Sequence, residues 1–311
     1  MAKFSVIIGN PPYQNPGKTK GNKLWPKFIK LSTEIVKDDG YVAMVSPTSW
    51  LSGGQNIPKG RFGVFKDIFA KKQLIEATFK DVNKSYFPKI GIKICWWILQ
   101  NKDIYKDSIL NFSEDVLKIN LKNIEFLSPE PMLDSVNIVK KTLLTENEKF
   151  KTYYFNSQCG VGDNGESEEP TDVNIHPHWI RGSDKAENLN IQFFPKKLNG
   201  KVNYKKILLA QRTRYWQPYL AVEDVNVATV GYAIKINEDT TQEGFESVFY
   251  SKLFTYLCYN LQINFNGFMK TIFIKKLPYL DMSKVWTDAE IYHHFKLTKA
   301  EIQYIEKGLK K

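Results

Sequence analysis

The chain reads as an α/β protein, with a partial doubly wound sheet at its start and an α+β domain after it. Three stretches predict this. Phe4-Ser5-Val6-Ile7-Ile8-Gly9 is an apolar run of strand length that stops at Asn10-Pro11-Pro12-Tyr13. Leu24, Phe28, Leu31 and Ile35 recur at helical spacing, which predicts a helix over 24–37, and Asp38-Asp39-Gly40 stops it. Tyr41-Val42-Ala43-Met44-Val45 is then a second strand, closed by Ser46-Pro47. Strand, helix, strand is a crossover unit, so the two strands lie parallel and Asn10 and Ser46 face one crevice.

The first strand is expected to be buried, and in open α/β sheets ligands bind beyond the carboxyl ends of such strands. Two prolines remove two amide donors and stiffen the turn, and Pro11 holds Asn10 in extended geometry. The turn thus presents the Asn10 side-chain oxygen and the Pro11 carbonyl as neighbouring acceptors, with the Tyr13 ring beside them as a stacking surface. That arrangement suits an exocyclic amino group on a planar base.

Composition bounds the rest. With 311 residues, 42% hydrophobic and 14% aromatic, the chain has ample material for one large domain or two ordinary ones. No apolar run reaches the roughly 18 residues that span a bilayer, and the amino end has no apolar segment with a cleavage site. The expectation is a cytoplasmic protein with no membrane partner. Cys95, Cys159 and Cys258 are odd in number and far apart, and His176, His178, His293 and His294 lack metal spacing, so neither a disulfide framework nor a metal site is expected. A formal charge of +11 fits a polyanionic partner, although a solvated lysine surface gives the same charge.

Further along, the loop after Tyr13 carries Lys18, Lys20 and Lys23 as phosphate contacts. A helix is expected over 61–70 and a third strand over 74–79. Lys84-Ser85-Tyr86-Phe87-Pro88 reads as a turn, and 90–99 as a strand with paired Trp96 and Trp97. Ser128-Pro129-Glu130-Pro131 breaks the chain before a connecting helix over 132–150. Gly160-Val161-Gly162 is rejected as a cofactor loop, because the acidic run that follows cannot easily open a packed helix. Ile207-Leu208-Leu209-Ala210 is a buried strand, 225–236 a β-hairpin and 247–259 an amphipathic helix. Arg212, Arg214, Tyr215 and Trp216 combine base-reading arginines with aromatic wedges, and Lys270 lies in a basic stretch with Lys275 and Lys276. Thr298, with Glu301 three residues on, starts the last helix.

Asn10-Pro11-Pro12-Tyr13 after an apolar strand resembles the catalytic motif of S-adenosylmethionine-dependent adenine-N6 DNA methyltransferases of restriction-modification systems. Glutamine methyltransferases acting on release factors share those four residues. The resemblance continues through Gly40-Tyr41-Val42, Ser46-Pro47 and Phe87-Pro88 in order. It implies a Rossmann-like methyltransferase sheet with Asn10, Pro11, Pro12 and Tyr13 catalytic, and an adenine flipped from double-stranded DNA and stacked between Tyr13 and Phe87. It also implies S-adenosylmethionine as cofactor and a target-recognition domain in the second half. The expected organisation is a catalytic half over 1–115, a connector over 116–150 and target recognition over 151–311.

In that family a glycine-rich loop and a ribose-binding acid precede the catalytic turn, and here they do not. The expected cofactor site is therefore incomplete. A separate cofactor-binding subunit is favoured over a permuted order or a non-catalytic DNA-binding or specificity protein derived from such an enzyme.

Overall fold

The computed structural model describes residues 4–13, 23–51, 63–80, 82–88, 92–112, 115–122, 124, 127, 133–155, 170–172, 176–180, 190–194, 204–210, 218–221, 225–227, 231–260 and 274–309. The chain divides into two compact units, Met1–Val136 and Asn137–Lys311.

The first unit is built on six strands, β1 (Phe4–Gly9), β2 (Val36–Pro47), β3 (Lys72–Thr78), β4 (Ile94–Asp103), β5 (Ser108–Phe112) and β6 (Asp115–Ile119). They form one mixed sheet in the order β1-β2-β4-β3-β5-β6. β1 and β2 run parallel, as the crossover predicts, with Gly9 opposite Met44. β4 is antiparallel to both β2 and β3. The carboxyl ends of β1, β2 and β3 and the start of β4 therefore meet at one edge.

Alternate positions of this sheet have different fates. Val42, Met44, Trp97, Leu99, Leu74 and Ala77 lie in a buried core shared with Trp25 and Ile29 of helix α1 (Trp25–Ile35). β1 departs from expectation. It is an edge strand, and Phe4, Val6 and Ile8 are 54%, 53% and 80% exposed. Only Ile7 of its apolar residues packs on the core. A strand is buried on both faces only when neighbours cover it, and among the described residues β1 is paired on one side alone.

The first helix is shorter than expected and turned about its axis. Its buried stripe is Trp25, Ile29 and Ser32, while Phe28 and Leu31 are exposed. Ser32 is tolerated there because its hydroxyl donates to the Phe28 carbonyl at 2.8 Å. The helix passes straight into β2, so Asp38-Asp39-Gly40 is an irregularity within the strand rather than a helix stop. Asp39 has φ 59°, and a Cβ on Gly40 would meet the Ser5 carbonyl oxygen at 2.8 Å and Val36 Cγ2 at 2.7 Å. Gly40 thus leaves no room for a side chain against β1, and the β1–β2 register shifts between Phe4 and Val6.

Other boundaries move as well. The segment expected as a helix over 61–70 is helical at Phe65–Phe69, in the wider π form, and Arg61 and Phe62 lie outside the described residues. The third and fourth strands are shifted to Lys72–Thr78 and Ile94–Asp103. The expected turn at 84–88 is largely a short helix, α2 (Val82–Tyr86). The Asn83 side chain ties α2 to the start of β4, accepting from the Ile94 amide at 2.7 Å and donating to the Ile92 carbonyl at 2.6 Å.

Helix α3 (Leu133–Thr142) replaces the longer helix expected over 132–150, and residues 143–150 are turns and bends that lead into β7 (Lys151–Phe155). In the second unit β7 joins β10 (Lys206–Ala210), β11 (Tyr219–Ala221) and β13 (Gly231–Lys235) in a four-stranded sheet, in the order β11-β10-β13-β7. β8 (His176–Ile180), β9 (Asn190–Phe194) and β12 (Asn226–Val227) form a second sheet. The hairpin expected over 225–236 is therefore two strands in different sheets. β10 is buried as expected, with Ile207 and Leu208 fully covered.

The helix expected over 247–259 is two helices, α4 (Gln242–Phe249) and α5 (Lys252–Asn260). Ser251 makes the break: its hydroxyl donates to the Val248 carbonyl and accepts from the Phe254 amide, ending one helix and capping the next. α6 (Asp288–His294) and α7 (Lys299–Gly308) each begin with a Thr-Glu capping box, the second at the Thr298 predicted from sequence. No described helix is long and apolar enough to cross a membrane.

Candidate active site

Gly9 ends β1, and Asn10 stands exposed at the sheet edge, followed by buried Pro11, exposed Pro12 and half-buried Tyr13. The Tyr13 hydroxyl donates to the Asn10 side-chain oxygen at 3.1 Å. The Tyr13 carbonyl accepts from the Leu24 amide at 3.2 Å, so the chain returns to the turn where α1 begins. Tyr13 also packs on the core. Burial, and then the neighbouring Cys95 thiol, raise its phenol above the ordinary value, so it remains a hydrogen-bond donor at neutral pH.

Asn10 can still accept. A carbonyl oxygen has two lone pairs, and the Tyr13 hydroxyl uses one. Tyr13 fixes the side chain's orientation while leaving room for a second donor.

Ser46 behaves differently from expectation. It reaches the same sheet edge as Asn10 but is fully buried, and its hydroxyl oxygen accepts from the Trp97 indole N–H at 2.9 Å. Its position on β2 is opposite Cys95, on the side of the sheet that faces the core. The Cys95 thiol donates to the Ser46 carbonyl at 3.6 Å and accepts from the Trp50 indole at 3.3 Å. Burial pushes the Cys95 thiol up to about 12, against the hydrogen bonds to Trp50 and Ser46 that lower it. Cys95 is thus an inert structural thiol.

Sequence alone does not mark Trp50 and Cys95 as part of this site, and together they form the floor of the edge. The Trp50 ring lies 4.5 Å from Phe69 and 5.7 Å from Phe79, Phe69 meets Trp97 edge-on at 5.0 Å, and Phe79 stacks on Phe112 at 4.2 Å. Contacts of this kind add to simple burial and make a stiff base for the turn above. The spacing of Trp50, Phe65 and Phe69 is the available signal, and residues 52–62 between them lie outside the described residues.

Phe87 is half-buried and follows α2 in the connection from β3 to β4, so topology brings it to the same sheet edge as Asn10 and Tyr13. Its amide donates to the Asn83 carbonyl at 2.9 Å, which links its position to the start of β4 through Asn83. Lys23 is exposed. Lys18, Lys20, Arg212, Arg214, Tyr215, Trp216 and Lys270 lie outside the described residues, as do Cys159 and Gly160-Val161-Gly162.

In the second unit, Lys149, Lys275 and Lys276 line an open hollow with Thr145, Glu146 and Asn147. Burial, and then the charge of Lys276, lower the Lys149 ammonium to about 8, while it donates to the Thr142 carbonyl at 3.0 Å. The sequence marks Lys275 and Lys276 as basic but not Lys149, which comes from a distant stretch. Among the described residues no cluster of His, Cys, Asp and Glu could hold a metal ion.

An uncharacterized adenine-specific methylase of Mycoplasma pneumoniae (strain ATCC 29342 / M129 / Subtype 1) is 36% identical over 109 residues, which is 32% of this chain and 24% of the relative. The match thus spans about a quarter of that relative's length. Among solved structures, the type IIL restriction-modification enzyme MmeI in complex with DNA aligns over 89% of this chain and 45% of its own, at 11% identity and a TM-score of 0.44. The type IIG restriction endonuclease BpuSI aligns over 95% of this chain and 49% of its own, at 11% identity and a TM-score of 0.36. Residues 1–79, which hold β1, the Asn10–Tyr13 turn, α1, β2 and β3, match the family described as Eco57I restriction-modification methylase, so the resemblance carried by the turn is also the one found by family comparison.

Proposed function

We propose that the chain is the catalytic and target-recognition part of an adenine-N6 DNA methyltransferase. The single observation that carries this reading is the Asn10–Tyr13 turn, standing exposed at the carboxyl end of β1 with its side-chain acceptor oriented by a neighbouring hydroxyl. The family match over residues 1–79 supports the methylase class.

In this reading an adenine is extruded from double-stranded DNA, since its amino group cannot be reached inside the stack. The Asn10 side-chain oxygen and the Pro11 carbonyl accept the two amino hydrogens and so aim the nitrogen lone pair. Tyr13 and Phe87 hold the ring from its two faces. Orientation of this kind, with acceptors in place before reaction, supplies most of what an amino-group displacement needs from a protein. Lys23, and the basic residues of the second unit including Lys149 and Lys276, serve the phosphate backbone.

S-adenosylmethionine supplies the methyl group when bound. The described residues do not make a cradle for it: after β1 comes a turn with two prolines and no glycine-rich loop opening a helix. In our reading the half that would complete a cofactor site is carried by a separate subunit.

Incubating the natural assembly with methyl-labelled S-adenosylmethionine and double-stranded DNA, then digesting to nucleosides, tests the proposal. Label in N6-methyladenine is the expected result. DNA binding without labelled product would favour a specificity protein, and label on protein glutamine would favour the other class that shares the turn.

A further inference from the structure

Two separate stretches of the second unit are tied together around Lys149. The Phe150 amide donates to the Leu277 carbonyl at 3.2 Å and the Tyr279 amide to the Glu148 carbonyl at 2.8 Å, with Lys149 bridged to Pro278 between them. This antiparallel contact puts Lys149, Lys275 and Lys276 in the wall of one hollow of about 510 Å³, with Leu143 and Asn147 beside them. The volume falls within the range of small-molecule sites, roughly 300–1,000 Å³.

Lys149 is the unusual member. It is half-buried, and its ammonium donates to the Thr142 carbonyl at 3.0 Å and to the Thr145 hydroxyl at 3.4 Å. Both partners are neutral, and an ammonium has three donors, so one remains. A neutral amine makes the same two bonds, so they do not by themselves require the charge. Among the described residues Lys149 has no ion pair, although Glu146 lines the same hollow. Burial, and then the charge of Lys276, disfavour its charged form. A half-buried cation beside a second cation is costly without a counter-charge, and an anion in the hollow supplies one.

We propose that the hollow is a site for the phosphomonoester of a small molecule, which competes with the DNA backbone for Lys149 and Lys276. The competition rests on the DNA-binding reading above; the site itself does not. Charge selects a monoester over a diester. A phosphomonoester carries close to two negative charges at neutral pH and three strong acceptor oxygens, which match two ammoniums and the Asn147 amide, whereas a backbone diester carries one charge. Shape selects in the same direction. Phosphates of a duplex lie along a convex surface and are met by exposed cations such as Lys275, while a recessed ammonium such as Lys149 is reached by a group that can enter the hollow.

Limited acetylation of the full chain at pH 8 by an N-hydroxysuccinimide ester, mapped by mass spectrometry, reads the site directly, with the exposed Lys118 of β6 as internal control. Ribose 5-phosphate is the probe, because it has no base to enter the turn at Asn10, and dimethyl phosphate at the same concentration is the diester control. The expected result is acetylation of Lys149 slowed at least fivefold by ribose 5-phosphate, with no slowing by dimethyl phosphate and none at Lys118. Lys276→Gln should abolish the protection. Asn147→Ala, at an exposed position, should reduce it at least threefold even if the first variant fails to fold. Equal acetylation with and without ribose 5-phosphate, equal protection by the diester, or protection by duplex DNA alone overturns the proposal.

At a concentration that protects Lys149, ribose 5-phosphate should also raise the apparent Kd for duplex DNA at least threefold. Unchanged DNA affinity with Lys149 protected overturns the competition. Protection of Lys149 in a chain that binds no DNA supports the site and removes the DNA-binding reading, so the two failures are separable.

Discussion

The Tyr13 hydroxyl donates to the Asn10 side-chain oxygen at 3.1 Å, within a turn of four residues. An asparagine on an exposed turn otherwise samples several rotamers, and here one is selected by a ring that is itself packed on the core. The hydroxyl and the ring of Tyr13 therefore have separable roles. Tyr13→Phe keeps the stacking surface and removes the orienting donor. Turnover of the assembled enzyme should fall about tenfold, near 1.4 kcal/mol in the barrier, with DNA affinity unchanged. A full loss of DNA binding in this variant would show that the hydroxyl acts elsewhere.

Gly40 sets how closely β1 approaches β2. Since a Cβ there would meet backbone oxygen of Ser5 and of Lys37, Gly40→Ala must push the strands apart or strain Asp39 and its neighbours. Destabilisation by about 1–3 kcal/mol is expected in urea denaturation. Stability equal to the parent would mean that the strand irregularity is absorbed locally.

The buried thiol beneath the turn makes a chemical prediction. Cys95 is fully covered and held near 12, so its thiolate population at pH 8 is very small. Peptide mapping after iodoacetamide treatment at pH 8 should find Cys95 unmodified in the native protein and alkylated after unfolding. Rapid native modification would place the thiol at the surface and contradict the Trp50–Cys95–Ser46 arrangement.

How much of this was legible in the sequence follows from how local each feature is. The Asn10–Tyr13 turn, the parallel pair it belongs to and the Thr298 cap depend on a few adjacent residues, and the structure has β1 parallel to β2 and a capping box at Thr298. Whether Phe4, Val6 and Ile8 are covered depends on what lies across the sheet, and an apolar strand reads the same at an edge as at the centre. Gly40 looks like a helix stop because Asp-Asp-Gly is ordinary stop chemistry; its contact with Ser5 is invisible until β1 and β2 are paired. The break between α4 and α5 turns on one serine hydroxyl, and the apolar spacing continues through it. Lys149 and Lys276 come together from positions far apart in the chain.

In the second unit, Lys141 reaches a nearly covered carboxylate on α7, with its ammonium 2.7 Å from Glu301 and a further hydrogen bond to the Lys296 carbonyl. Burial alone would raise the Glu301 carboxyl, but the Lys141 and Thr298 hydrogen bonds outweigh it and hold the group below its ordinary 4.5. A depressed carboxylate adds stability that is present above the unfolded value and is lost as pH falls through the folded one. Lys141→Met should therefore destabilise the protein by about 2–3 kcal/mol at pH 7, where it leaves a buried charge without its partner. The difference from the parent should shrink below pH 4.5, as Glu301 takes up a proton. An equal difference at pH 7 and pH 4 would show that Lys141 contributes by packing rather than by charge.

The central claim is that Asn10 holds the amino group that is methylated. Its most direct test is single-turnover methyl transfer to double-stranded DNA by the complete assembly, comparing the parent with Asn10→Ala and measuring DNA affinity in parallel. The account predicts a loss of about a hundredfold or more in the rate of N6-methyladenine formation, with DNA binding within about twofold of the parent, since Asn10 is one exposed residue in a much larger contact surface. Methyl transfer at the parental rate in Asn10→Ala would contradict it.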